Sequence, residues 1–177
     1  MGQLYSRKHP RWPLHDYASP GAYFVTTITH KRRWILGVPT RRGIALTDAG
    51  RIVHRCWATV AEQFDGVLID ALVVMPNHVH AIVVLKDARE RTTGLSAVVA
   101  AAKQHATREI AALNRGPRPP IWQRSFHDRI IRDVMAWERV RNYIAKNPSR
   151  AWSVIQIRRR DAARSTLTTL TTLTTLL

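Results

Sequence analysis

Val67-Leu68-Ile69-Asp70-Ala71-Leu72-Val73-Val74-Met75 and His78-Val79-His80-Ala81-Ile82-Val83-Val84-Leu85, joined by Pro76-Asn77, decide how this chain folds. Both runs have strand length, are rich in β-branched residues, and are apolar at nearly every position, so neither face of either strand is suited to water. Pro76-Asn77 supplies turn chemistry between them. The pair reads as an antiparallel hairpin at the middle of a sheet covered on both faces.

Working outward, residues 22–30 are aromatic and β-branched, with Phe24, Thr26 and Ile28 alternating against Tyr23, Val25 and Thr27, and form a first strand. Thr47-Asp48 is a helix N-cap; Ile52, Val53, Cys56, Trp57, Val60 and Phe64 follow at spacings of three and four, giving a helix of about 17 residues that Gly66 closes. Residues 95–113 are Ala-rich, with Leu95, Val98, Val99, Ala102, Ala106, Ile110 and Leu113 on one broad face, a second long helix. Gly116-Pro117-Arg118-Pro119-Pro120 breaks it, and residues 121–131 hold a strand with an irregular centre. A third helix starts at Asp133 and runs to about Lys146, stopped by Asn147-Pro148. The order β-α-β-β-α-β plus one helix predicts an α+β domain with a ferredoxin-like, RRM-like antiparallel sheet, two crossover helices on one face and the added C-terminal helix on the other.

That domain spans residues 21–155. Residues 1–20, with Arg7, Lys8, Arg11, Trp12 and three prolines, read as a basic extended arm. Residues 156–177 are basic and then only Thr and Leu, with Leu167, Leu170, Leu173 and Leu176 at a period of three that fits neither helix nor strand; the tail is expected to be disordered.

Composition bounds the function. With 28 Lys plus Arg against 12 Asp plus Glu the formal charge is +16, which repels itself in a folded domain and calls for a polyanionic partner, nucleic acid first. A solvated cationic surface or attraction to anionic lipid are the alternatives that charge alone leaves open. A single cysteine, Cys56, has no internal disulfide partner, there is no apolar run long enough to span a bilayer, and the prolines and charges near the N-terminus do not suit a signal peptide. A cytoplasmic, nucleoid-associated protein with no membrane contact is expected.

Strand alternation puts His78 and His80 on one face about 7 Å apart, suited to two imidazoles sharing a metal ion, or to a structural pair satisfied by neighbours. On the third helix the apolar face is Val134, Trp137, Val140 and Ile144, and Tyr143 and Asn147 share one flank of it through their i, i+4 spacing. If that helix covers the sheet, Tyr143 and Asn147 come over the His strand. Alone, the tyrosine is more simply a packed ring with a hydrogen-bonded hydroxyl, and Asn147 a helix C-terminal residue.

Three blocks in order, Val74-Met75-Pro76-Asn77-His78-Val79-His80, Trp122-Gln123-Arg124-Ser125-Phe126-His127 and Asn142-Tyr143-Ile144-Ala145-Lys146-Asn147-Pro148-Ser149-Arg150-Ala151, resemble the REP-associated tyrosine transposases, and Gly21-Ala22-Tyr23-Phe24-Val25-Thr26 matches that family's first strand. The resemblance covers about residues 5–152. It implies a single-tyrosine HUH enzyme that nicks and joins single-stranded or hairpin DNA through a 5′-phosphotyrosine, with Tyr143 as nucleophile, His78, His80 and Asn147 as ligands of Mg²⁺ or Mn²⁺, and a monomer, dimers being known among single-tyrosine relatives. Ligand softness favours Mn²⁺ or Zn²⁺ over Mg²⁺ at such a site. A phenol, with an ordinary pKa near ~10, needs help from the metal, a water or cations such as Lys146 and Arg139. For DNA the candidate contacts are Arg7, Lys8, Arg11, Lys31, Arg32, Arg33, Arg41, Arg42 and Arg124, with Trp12, Trp34 and Trp122 placed to stack on unpaired bases or to fill the core. The competing readings are a non-catalytic nucleic-acid-binding module on the same fold and a metal-dependent phosphoesterase using water.

Overall fold

Strand β1 (Gly21–Ile28) is the spine of the molecule, hydrogen-bonded on both sides within a four-stranded antiparallel sheet. In the computed structural model, residues 19–87, 93–113 and 119–174 are described, with side chains as far as Val154 and at Gln156. The chain continues through a small hairpin, β2 (Gly37–Thr40) and β3 (Gly43–Leu46), to helix α1 (Asp48–Thr59), strands β4 (Val67–Met75) and β5 (His78–Leu85), helix α2 (Leu95–Leu113), strand β6 (His127–Ile131) and helix α3 (Val134–Thr174). The sheet order is β4-β5-β1-β6, which is the expected ferredoxin-like arrangement.

The apolar hairpin is confirmed in register from Val67↔Leu85 to Met75↔His78, but only β5 lies inside the sheet. β4 is an edge strand, not a central one: among the described residues it has no second neighbour, and its Leu68 stays 48% exposed. Its apolar composition answers to helices packed above and below rather than to a flanking strand.

One face of the sheet carries Tyr23, Val25, Val79, Ala81, Val83 and Leu85, packed on α1 through Val53 and Trp57 and on α2 through Leu95, Val98, Val99 and Ala102. Thr47 caps α1 as expected, its hydroxyl accepting from the Gly50 N–H at 3.1 Å, and donating to the Ile35 carbonyl at 2.7 Å. The helix is shorter than its apolar periodicity suggests: after Thr59 the chain tightens into a 3-10 turn at Val60–Gln63, and Gly66, at φ +68°, turns it into β4. The opposite face holds a smaller cluster, Ala22, Ile82, Ile131, Val140 and Ile144 with Phe24 and Trp137 around it, where α3 crosses the sheet. Burying Val140 and Ile144 there is worth roughly 1.5–3 kcal/mol each.

What fixes α3 in place is a bulge. The β4 register slips between Ile69 and Ala71, so Asp70 has no partner across the ladder and turns toward the helix. Its carboxylate accepts from Trp137 Nε1 at 2.8 Å and from Arg141, whose Nε lies at 2.7 Å. Those Arg141 bonds, with the Trp137 bond, hold the carboxyl below the usual range against the upward push of burial.

Asn147-Pro148 does not stop α3. The missing N–H of Pro148 costs one helical bond, yet the residue sits against the β2–β3 hairpin, with its Cβ 3.8 Å from where a side chain on Gly43 would begin. Beyond it no Gly or Pro interrupts the chain to Thr174, so the helix propagates through the stretch expected to be disordered. The basic arm, with Arg7, Lys8, Arg11 and Trp12, lies outside the described residues.

Gly50 marks the tightest joint of this scaffold, since a Cβ there would meet the Leu36 carbonyl oxygen at 1.8 Å. Gly50→Ala is expected to lower stability by about 3 kcal/mol, the upper end for overpacking, as a shift of the urea unfolding midpoint.

Candidate active site

β5 delivers His78 and His80 to the α3 face by simple alternation, while Val79 and Ala81 enter the core behind. The two rings stand 4.7 Å apart between centroids, nearly perpendicular. Each is oriented by a neighbour. Asn77 Nδ2 donates to the Arg32 carbonyl at 3.1 Å, which leaves Asn77 Oδ1 as the atom facing His78 Nδ1 at 2.7 Å. A carbonyl oxygen only accepts, so His78 Nδ1 carries the proton and its Nε2 keeps a free lone pair. His80 Nδ1 lies 2.8 Å from Thr26 Oγ1, across the β1–β5 ladder, and when Nδ1 donates there Nε2 is likewise unprotonated.

Burial, with the Arg32 charge added, pushes His78 down to about 4; burial, with His78 beside it, pushes His80 down to about 3. Both rings are therefore neutral at physiological pH, with lone pairs available to a cation.

Helix α3 brings Tyr143 over this pair. Because Trp137 and Arg141 are tied to Asp70, level with Ile82 and Val83 on β5, and Tyr143 reaches His80, the helix runs antiparallel to β5. The Tyr143 hydroxyl is 3.5 Å from His80 Nε2, at the outer limit of a hydrogen bond. Its ring meets Phe24 edge-on at 5.9 Å and lies 5.3 Å from the His80 ring, with the Arg150 guanidinium 5.8 Å from its centre. The next turn carries Asn147 onward in the direction of His78, and Asn147 Nδ2 is buried with no hydrogen-bond partner among the described residues.

These donors suit a divalent cation. Among the described residues no group of three His, Cys, Asp or Glu side chains is gathered, so the site offers the lone pairs of two neutral imidazoles; the unpartnered Nδ2 of Asn147 is a donor group, and that residue could join them only through its amide oxygen. Nitrogen and neutral oxygen donors of this kind hold Mn²⁺ or Mg²⁺ without cancelling the ion's charge.

The predicted DNA contacts divide. Arg32 stands close enough to His78 to depress it, and Lys31 and Arg32 both take left-handed backbone at φ 54°, a strained turn beside the site. Arg41 and Arg42 are exposed at the tip of the β2–β3 hairpin, and Arg124 is exposed on the α2 side. Arg33 is half-buried and donates to the Pro120 carbonyl at 2.6 Å and the His30 carbonyl at 3.3 Å. Trp122 is 8% exposed and donates to the Lys103 carbonyl at 3.2 Å, so it fills the core rather than stacking on a base; Trp34, 56% exposed, is free to do so. Thr26 and Asp70 were not singled out by the sequence because their partners lie on distant elements, and Asn77 and Arg150 because nothing in one dimension marks a nearby ring as their partner.

Trp122→Ala is expected to cost about 3–5 kcal/mol in urea unfolding as a core truncation. Trp34→Ala should leave the unfolding midpoint where it was.

Comparison with known proteins adds the family. The model of IS200-like transposases matches residues 26–147. A protein of Haemophilus influenzae, itself uncharacterized, is 26% identical over 161 residues, which cover 82% of this chain and 89% of that one. A solved REP-associated tyrosine transposase bound to a REP hairpin superposes with a TM-score of 0.59 at 22% identity, over 80% of this chain and 75% of that one, a likeness of fold.

Proposed function

This chain belongs to the IS200-like transposase family, and on that premise we propose that it cuts and rejoins single-stranded DNA by direct attack of Tyr143 on a phosphodiester. The observation that carries the reading is the Tyr143 hydroxyl 3.5 Å from an unprotonated face of the paired imidazoles. Substrate with hairpin character is part of the proposal, since the solved relative of like fold is bound to a REP hairpin and the formal charge of +16 suits a phosphate backbone.

In this reading His78, His80 and, through its amide oxygen, Asn147 would hold Mg²⁺ or Mn²⁺, which would supply Lewis-acid polarisation of the scissile phosphate. Thr26 and Asn77 keep the two rings turned so that their Nε2 atoms face the site. An imidazole pushed down to about 3 is a weak base, so His80 is better fitted to hold a cation than to take the phenol proton. That proton leaves to water, and Arg150 beside the ring offsets the charge that develops on the phenol oxygen. The Tyr143 oxygen forms a bond to phosphorus as the bond to O3′ breaks; O3′ takes up a proton and departs as a 3′-hydroxyl, leaving a 5′-phosphotyrosine. A 3′-hydroxyl from a second strand end reverses the exchange and restores the phenol. No bond energy is lost to water between the two steps, so joining needs no nucleotide cofactor.

The test is incubation of labelled hairpin DNA with Mn²⁺ followed by a denaturing gel. Wild-type protein should give a denaturation-resistant protein–DNA adduct, and Tyr143→Phe should lose it by at least ~10³-fold while binding the same DNA. Cleavage without an adduct points to a phosphoesterase using water, and binding without cleavage to a non-catalytic module. Thr26→Val, which keeps the shape but removes the partner of His80 Nδ1, should weaken Mn²⁺ binding about 10–100-fold in a calorimetric titration.

A further inference from the structure

Beside Tyr143, α3 and the edge strand β6 enclose a groove of about 580 Å³. Its floor and outer wall follow from the β1–β6 register. Thr26 pairs with His80 on one side and His127 on the other, and Phe24 pairs with Arg129, so His127 and Arg129 rise from β6 on the same face as the His pair. Two strand spacings, ~10 Å, separate the β5 row from the β6 row. Across the groove stand Arg139 and Tyr143, one turn apart on α3.

The electrostatics are one-sided. Arg129, Arg139 and His127 are exposed, and neither arginine is ion-paired with a carboxylate among the described residues. Asp128 also lines the groove, but by alternation its side chain belongs to the opposite face of β6. Phe24 adds an aromatic surface to the floor, next to the nucleophile. The step proposed for Tyr143 draws on Arg150 rather than on these cations.

We propose that this groove holds the nucleotide adjacent to the scissile phosphate of a single-stranded DNA, with Arg129 and Arg139 each on a separate phosphate of the strand and the unpaired base against Phe24. The inference rests on Tyr143 being the residue that attacks DNA and specifies the path of the strand away from it. A cavity of this size lies within the range of ~300–1,000 Å³ that receives a small ring system. An unstacked base fits such a space, whereas a duplex keeps its bases inside the stack.

Binding is measured in the Tyr143→Phe background by anisotropy of labelled oligo-dT of about 20 residues over a range of salt concentrations. Arg129→Gln with Arg139→Gln should weaken binding several-fold and reduce the slope of log K against log salt by about 1.4, from ~0.7 per lost phosphate contact on a single strand. Arg129→Lys with Arg139→Lys should restore the slope, since charge rather than shape sets it. An unchanged slope overturns the proposal. If the paired neutral variant fails to fold, each single substitution is read instead, with an expected slope change of ~0.7. Because this binding needs no chemistry, adduct formation with an unchanged slope sinks the groove alone, and a changed slope with no adduct sinks the nucleophile alone.

Discussion

Everything at the site depends on α3 lying antiparallel to β5 across the open face of the sheet, because only that crossing sets a phenol against two imidazoles. Three features enforce it. Val140 and Ile144 pack on Ala22 and Ile82, the bulged Asp70 gathers Trp137 and Arg141, and the β2–β3 hairpin meets the helix at Pro148. The carboxylate grips Trp137 and Arg141, the apolar contacts Val140 and Ile144, and the hairpin Pro148 further along, so tilting α3 about any one of them strains the other two. The apolar contacts supply the driving force and are indifferent to register; the carboxylate, being directional, chooses which turn faces His80.

The same face has to be both dry and chemically open. Burial under α3 keeps His78 and His80 neutral, which frees their lone pairs, and the ring nitrogens directed at Asn77 and Thr26 meet the polar partners that burial demands. Beyond β1 the covering thins out, and the sheet edge at β6 turns cationic. A polyanion can thus reach Tyr143 from the β6 side without the imidazoles being exposed to bulk water.

Much of this was legible in the sequence where a signal was local and periodic. The two apolar runs gave β4 and β5, alternation put His78 and His80 together, Thr47 announced its cap, and the i, i+4 flank of Tyr143 and Asn147 was set once a helix was assumed. The resemblance to a known family then tied those blocks to one reaction. What stayed hidden depends on contacts between distant segments. The β2–β3 strands are four residues each, with Pro39 inside one and Gly at the start of both, too short for a pattern to emerge. Pro148 reads as a stop because the hairpin that packs on it is invisible in one dimension. Trp122 looked like a stacking ring because ring size says nothing about which carbonyl lies opposite it. Asp70, in the middle of an apolar run, was the clearest unexplained local signal, and its reason is the bulge.

The central claim is the proximity of Tyr143 to His80 within a single chain, and it is open to direct measurement in solution. In protein labelled selectively at tyrosine and histidine, and mixed with unlabelled protein to separate contacts within a chain from those between chains, the Tyr143 ring protons should show nuclear Overhauser contacts to the His80 ring and to Phe24. Absence of these contacts, with Tyr143 behaving as a freely rotating exposed ring, would contradict the arrangement on which the account is built.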